Sequence, residues 1–162
     1  MVVTTGQETC AAPTQAPAPD LRRRAPRSPR QRLGGFVWLP RLLDKGRATL
    51  AGTNGEYQYG CLLDQRFFDV VALEPEALTA QLAGGKSDAE VLQWILAHSG
   101  PEPSPAAIEA WSAQAEQQAP SEAEWQHLLS EQRHGRALEG AECMTWFELL
   151  ELHDRLSFSG QP

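Results

Sequence analysis

The sequence predicts an all-α domain, a small bundle of about five to six short helices, on three observations. Capping boxes stand at Ser87/Glu90, Ser121/Glu124 and Thr145/Glu148, where paired side chains satisfy the free backbone N–H groups of a helix start. Pro40, Pro75 and Pro105 suit the first turn of a helix, where their missing N–H is not needed. Apolar side chains then recur at helical spacing after each signal. No stretch reads as βαβ, and no internal repeat is evident.

Taken in order, residues 1–20 alternate Ala, Pro, Thr and Gln and hold little that could bury surface, so they are expected to form a disordered tail. A single helical domain is expected over 21–158, with a short C-terminal tail at 159–162. Ala25-Pro26 and Ser28-Pro29 favour extended backbone, and Gly34-Gly35 permits a turn. Pro40 opens a helix with Leu39, Leu42, Leu43, Gly46 and Leu50 on a buried stripe and Arg41, Asp44, Lys45 and Ala48 opposite. Gly52 and Asn54-Gly55 end it. The alternation of Tyr57 and Tyr59 leaves room for one short extended hairpin near Glu56–Gly60.

Asp64 is expected to cap a helix carrying Leu63, Phe67, Val70 and Val71. Pro75 begins another, stopped by Gly84-Gly85. The Ser87 box precedes Val91, Leu92, Ile95 and Leu96, with Gly100-Pro101 beyond. Ser104-Pro105 starts a helix with Ile108, Trp111 and Ala115. The Ser121 box precedes Trp125, Leu128 and Leu129, with Gly135 beyond the end. The Thr145 box adds a hydrophobic staple, Met144 with Leu149, and leads into Trp146, Leu150, His153 and Leu156.

A chain of 162 residues is long enough for one domain with a real core. Its net charge of −7 hides a split. Residues 1–66 hold ten Lys/Arg and five acids, a net +5, and the rest hold four and 16, a net −12. A basic head on an acidic body either binds an external anion or docks on the body. The three cysteines, Cys10, Cys61 and Cys143, are odd in number and far apart, which argues against a disulfide framework. No apolar run approaches the roughly 18–20 residues of a membrane span, and no secretory signal opens the chain. A cytoplasmic protein is the expectation.

The segment Pro26–Ala48 is the most distinctive chemistry, with Arg27, Arg30, Arg32, Arg41, Lys45 and Arg47 around one acid, Asp44. Arginine forks match phosphate and carboxylate. Arg41 falls in a helix first turn, where the macrodipole disfavours a cation, and an anion bound there would reverse the penalty. The alternative is that Asp44 neutralises Arg41 and Lys45 locally while the other arginines pair with the acidic half. Nucleic acid is a poor partner, because the whole chain is acidic and carries no known reading motif.

Glu124-x-x-His127 and Glu131-x-x-His134 resemble metal-binding pairs, but both fall on one helix and away from its apolar face. No metal and no cofactor is expected. Cys61 is a conceivable nucleophile with no histidine near in sequence, so a structural thiol is the simpler reading. Gly84-Gly85-Lys86-Ser87 lacks the earlier glycine and the strand of a phosphate loop.

Several motifs in order resemble a family of small bacterial proteins catalogued as domain of unknown function 5069. They are Pro26-Arg27-Ser28-Pro29, Arg32-Leu33-Gly34-Gly35-Phe36-Val37, Leu39-Pro40-Arg41-Leu42-Leu43-Asp44-Lys45 with Arg47-Ala48, Gly55-Glu56-Tyr57 and Leu63-Asp64-Gln65-Arg66-Phe67. Gly85-Lys86-Ser87-Asp88 with Trp94, and Thr145-Trp146-Phe147, extend the resemblance over roughly residues 20 to 157. The sequence departs from the family pattern beside Cys61, where Gly60 and Leu62 replace the usual Asn and Pro. The resemblance implies no established activity, cofactor or catalytic residue.

The leading expectation is non-catalytic binding of a small anionic ligand or an acidic protein surface by Arg27, Arg32, Arg41, Lys45 and Arg47, with Asp44 among them. The alternative is a small enzyme whose pocket adds Glu56, Tyr57, Asp64 and Arg66. An open basic face would favour the first, and a closed concave pocket with convergent polar groups the second.

Overall fold

The computed structural model describes residues 16–130 and 140–159. Seven helices are formed among them: α1 (Leu39–Ala51), α2 (Leu62–Val71), α3 (Pro75–Ala83), α4 (Asp88–His98), α5 (Pro105–Gln117), α6 (Glu122–Ser130) and α7 (Trp146–Phe158). The count exceeds the expected five to six because every start signal opens its own helix. Ala72, in the left-handed conformation at φ 52°, ends α2 before Pro75 can extend it. The described residues form no sheet, and the pairing of Leu33 with Phe36 is an isolated bridge.

All three capping boxes are formed. Glu90 N–H donates to Ser87 Oγ, Glu124 N–H to Ser121 Oγ and Glu148 N–H to Thr145 Oγ1, each at 3.3 Å. Met144 and Leu149 share a small cluster with Trp125 and Ala141, as a staple requires. Asp64 does not stand at the N-cap. Cys61 does, and Asp64, in the first turn of α2, reaches back to accept from Gly60 N–H at 2.8 Å and Cys61 N–H at 3.3 Å.

The expected hairpin at Glu56–Gly60 is a pair of turns instead. The two tyrosines are drawn to different helices, Tyr57 Oη to Asp154 of α7 and Tyr59 Oη to Pro75 O of α3, so no alternating strand is formed. Of the expected N-terminal tail, residues 1–15 lie outside the described residues. Packing begins at Pro19, which is buried and whose carbonyl accepts from Thr53 Oγ1 at 2.9 Å. Leu21 follows at 1 % exposure, packed with Ala48 and Tyr57.

The main core joins the 36–39 segment to α1, α2, α3, α4, α5 and α7. Phe36 meets Phe67 and Trp111 edge-on at 5.4 and 6.1 Å. Gly34, at φ +58°, lies so close to α4 that a Cβ there would come within 2.6 Å of Leu92. Ser112 Oγ donates to Gly35 O and accepts from Val37 N–H, which satisfies the buried backbone of that turn. No described helix is long and apolar enough to cross a membrane.

Candidate functional site

α1 sets the chemistry because its first ten residues, Leu39 to Ala48, are buried on every face. The expected polar face, Arg41, Asp44, Lys45 and Ala48, is 0–8 % exposed. Leu50, expected on the buried stripe, is 48 % exposed. A helix can bury charge in this way only if each charge meets a fixed partner. Asp44 is not the local partner of Arg41 or Lys45. It accepts from Arg27 N–H at 2.9 Å and from the Arg27 guanidinium at 2.8–3.1 Å.

Arg41 instead forms a two-pronged pair with Asp154 of α7, at 2.8 and 3.1 Å. The anion that this helix end prefers is thus supplied by the chain itself. Lys45 Nζ donates to both oxygens of Asp64 at 2.8 Å and lies 3.4 Å from Cys61 Sγ. Arg47 donates to Asp88, which Arg27 also reaches, at 2.6 and 2.7 Å. Burial would raise the Asp88 carboxyl, but these two guanidiniums overcome it and hold the group below its ordinary value.

Trp38 stands at the centre. Its backbone is left-handed at φ 72°, a strained conformation for an aromatic residue. Its N–H donates to Pro29 O and its ring Nε1 to Asp64 Oδ1, at 2.9 and 2.8 Å. Its ring stacks on Phe147 at 5.9 Å, and the Lys45 ammonium lies 5.0 Å from its centroid. These contacts hold the strained backbone in place.

A cleft of about 520 Å³ opens beside this centre. Arg41, Lys45, Glu56, Tyr57, Cys61 and His153 give its polar wall, and Trp38, Leu63, Leu128 and Leu150 its apolar wall. Tyr57 Oη donates to Asp154 at 2.8 Å. Burial, and then the nearby Asp154 carboxylate, push its phenol up. Burial would also raise Asp154, but His153 (Nδ1 at 3.9 Å), Arg41 and Tyr57 overcome it and hold the carboxyl at about 2.

Of the expected site residues, Arg41, Lys45, Glu56 and Tyr57 are brought together in this cleft. Asp64 is fully buried and does not line it. Arg27, Asp44 and Arg47 line a separate hollow of about 360 Å³ with Asp88. Arg32 turns to Glu109 and Glu116 of α5. Arg66 pairs with Glu124 of α6 and lines a different cavity. Sequence reasoning missed Trp38, His153 and Asp154. For Asp154 there was no specific signal beyond the general expectation that a basic head could dock on the acidic half of the chain.

Among the described residues no three His, Cys, Asp or Glu side chains stand where they could hold a metal ion. Glu131 and His134 lie outside the described residues. Cys61 and Cys143 are free thiols.

Residues 23–156 match the family model described as a domain of unknown function, DUF5069. The chain belongs to the DUF5069 family. The matched range takes in every charged pair of α1 and the whole cleft of this DUF5069 chain. A search of curated proteins finds no match to it.

Proposed function

We propose that this DUF5069 chain is a non-catalytic binding protein that takes a small anionic ligand into the cleft beside α1 and α7. One observation carries the reading: Arg41 and Lys45 line the cleft, whereas Asp154 and Asp64, which neutralise them, do not. Cations held in place by acids behind the wall meet a ligand with little ordering cost. Trp38, Leu63 and Leu150 suit an apolar part of that ligand. An acidic protein surface fits less well, because Arg41 and Lys45, at 1 % and 3 % exposure, stand in the wall of a cleft and form no open basic face. A cytoplasmic, bacterial setting rests on the odd, dispersed cysteines and on the family.

Thermal unfolding at fixed ionic strength, with phosphate, sulfate or citrate replacing chloride, tests the reading. The anion should raise the midpoint of the wild type. Glu56→Gln removes a carboxylate from the wall and should enlarge the rise. Leu150→Trp fills the cleft and should abolish it. A rise that neither substitution alters, or no rise, refutes the proposal.

Cys61 favours a second reading, a small enzyme. Its thiol stands at the start of α2, 3.4 Å from Lys45 Nζ, in the same cleft as His153. A thiolate there would be the nucleophile. Alkylation by iodoacetamide faster at Cys61 than at the exposed Cys143, and absent from Cys61→Ser, would support this reading over simple binding.

A further inference from the structure

A second cavity, of about 290 Å³, shares Trp38 and Leu63 with the cleft but is otherwise built from other residues. Trp111, Trp146 and Phe147 make its remaining aromatic wall, and Arg66 of α2 supplies its cation. Two nitrogens of these side chains, Arg66 Nη1 and Trp146 Nε1, are buried without a hydrogen-bond partner among the described residues. Trp146 as a whole is 9 % exposed. Buried donors of this kind are rare in folded proteins and call for a reason. Arg66 Nη2 is already drawn to Glu124 at 2.8 Å, which leaves Nη1 as the unused arm of the fork.

Both orphans are donors and neither can accept, so the group that satisfies them is an acceptor. A guanidinium makes its stronger bonds to an ionised acceptor. The ring faces around it suit a flat apolar body. We infer that this cavity binds a small aromatic carboxylate, its ring among Trp38, Trp111 and Phe147 and its oxygens on Arg66 Nη1 and Trp146 Nε1. Neither nitrogen meets water as the side chains stand, so entry of the carboxylate requires both Arg66, whose side chain is 27 % exposed, and the Trp146 ring to turn. The opposite occupant, a cation caged by the same rings with Asp69 as counter-ion, would leave both donors unpaired and place a second positive charge beside Arg66. This site goes beyond the cleft proposed above and does not depend on it.

Calorimetric titration of the full chain with 1-naphthoate, and separately with protonated 1-naphthylmethylamine, tests the inference. Naphthoate should bind saturably and the amine should not. Trp146→Phe keeps a ring and removes one donor, and Arg66→Met keeps length and removes the other. Each should weaken naphthoate binding about tenfold. Arg66→Met also strips Glu124 of its ion-pair partner, so if that variant fails to fold, Trp146→Phe decides alone; it loses no side-chain hydrogen bond among the described residues. Leu150→Trp, in the other cleft, should leave naphthoate affinity unchanged. Absence of saturable binding, preference for the amine, unchanged affinity in Trp146→Phe, or loss in Leu150→Trp would each overturn the inference.

Discussion

Arg41 and Arg32 each reach an acid on a distant helix, Arg41 to Asp154 of α7 and Arg32 to Glu109 of α5, yet they do so in different media. The Arg41 side chain is 2 % exposed and Asp154 13 %, against 33 % for Arg32 and 64 % for Glu109. The attraction at a given distance is several-fold stronger away from water, but so is the cost of stripping each ion of its hydration. Arg41 therefore requires its acid, and Arg32 does not. Within one basic segment, burial rather than the presence of a partner separates the pairs that hold the fold from those that decorate it.

The largest expected effect breaks the buried side of this comparison. Asp154→Ala leaves the Arg41 guanidinium buried and unpaired and should destabilise the chain by about 3–5 kcal/mol, read by urea unfolding. Replacing both partners, Arg41→Met with Asp154→Leu, should restore most of the loss. If Asp154→Ala unfolds no more readily than Glu109→Ala, the contrast is wrong.

Acid sharpens the same contrast. The Asp154 carboxyl is held at about 2, below its usual 3.8. A depressed carboxyl contributes stability that is present above the unfolded value and lost as pH falls through the folded one. Between pH ~4 and ~2 the chain should lose about 2 kcal/mol through this group. Asp154→Asn should flatten that part of the stability profile, and a profile unchanged by the substitution would contradict the assignment.

A smaller effect is expected from contacts that are local and exposed yet well aligned. Ser87→Ala and Thr145→Ala each remove a helix cap and should cost about 1 kcal/mol, measured by chemical denaturation. The smallest belongs to the exposed pair. Arg32→Ala and Glu109→Ala should shift the unfolding midpoint little, and the shift should shrink further as salt is raised.

What was legible in the sequence follows the same division between local and distant causes. Capping boxes and helix-opening prolines act over three or four residues, so Ser87, Ser121, Thr145, Pro75 and Pro105 announced real helix starts. The fate of α1's polar face was not legible. Its partners Asp64, Asp88 and Asp154 come from α2, α4 and α7, and nothing in the spacing of Arg41, Lys45 and Arg47 announces them. Spacing alone made Asp44 the natural partner of its neighbours on the helix. Arg27, 17 positions earlier, takes it, with both its backbone N–H and its guanidinium donating to the carboxylate. Arg41, Lys45, Glu56 and Tyr57 were legible as one candidate group, being close in sequence and rich in donors. His153 was read as one more residue of an amphipathic helix, and the left-handed backbone of Trp38 leaves no trace in composition.

Arg41 and Asp154 are 113 positions apart, whereas Lys45 and Asp64 are separated by 19. A ribosome adding roughly 5–20 residues per second supplies the acid for Lys45 within roughly 1–4 s but leaves Arg41 waiting roughly 6–23 s for its carboxylate. Through that interval the nascent chain holds a guanidinium that the finished core hides. Only α7 completes the Arg41 pair, so translation that stalls before Asp154 leaves that cation without its acid.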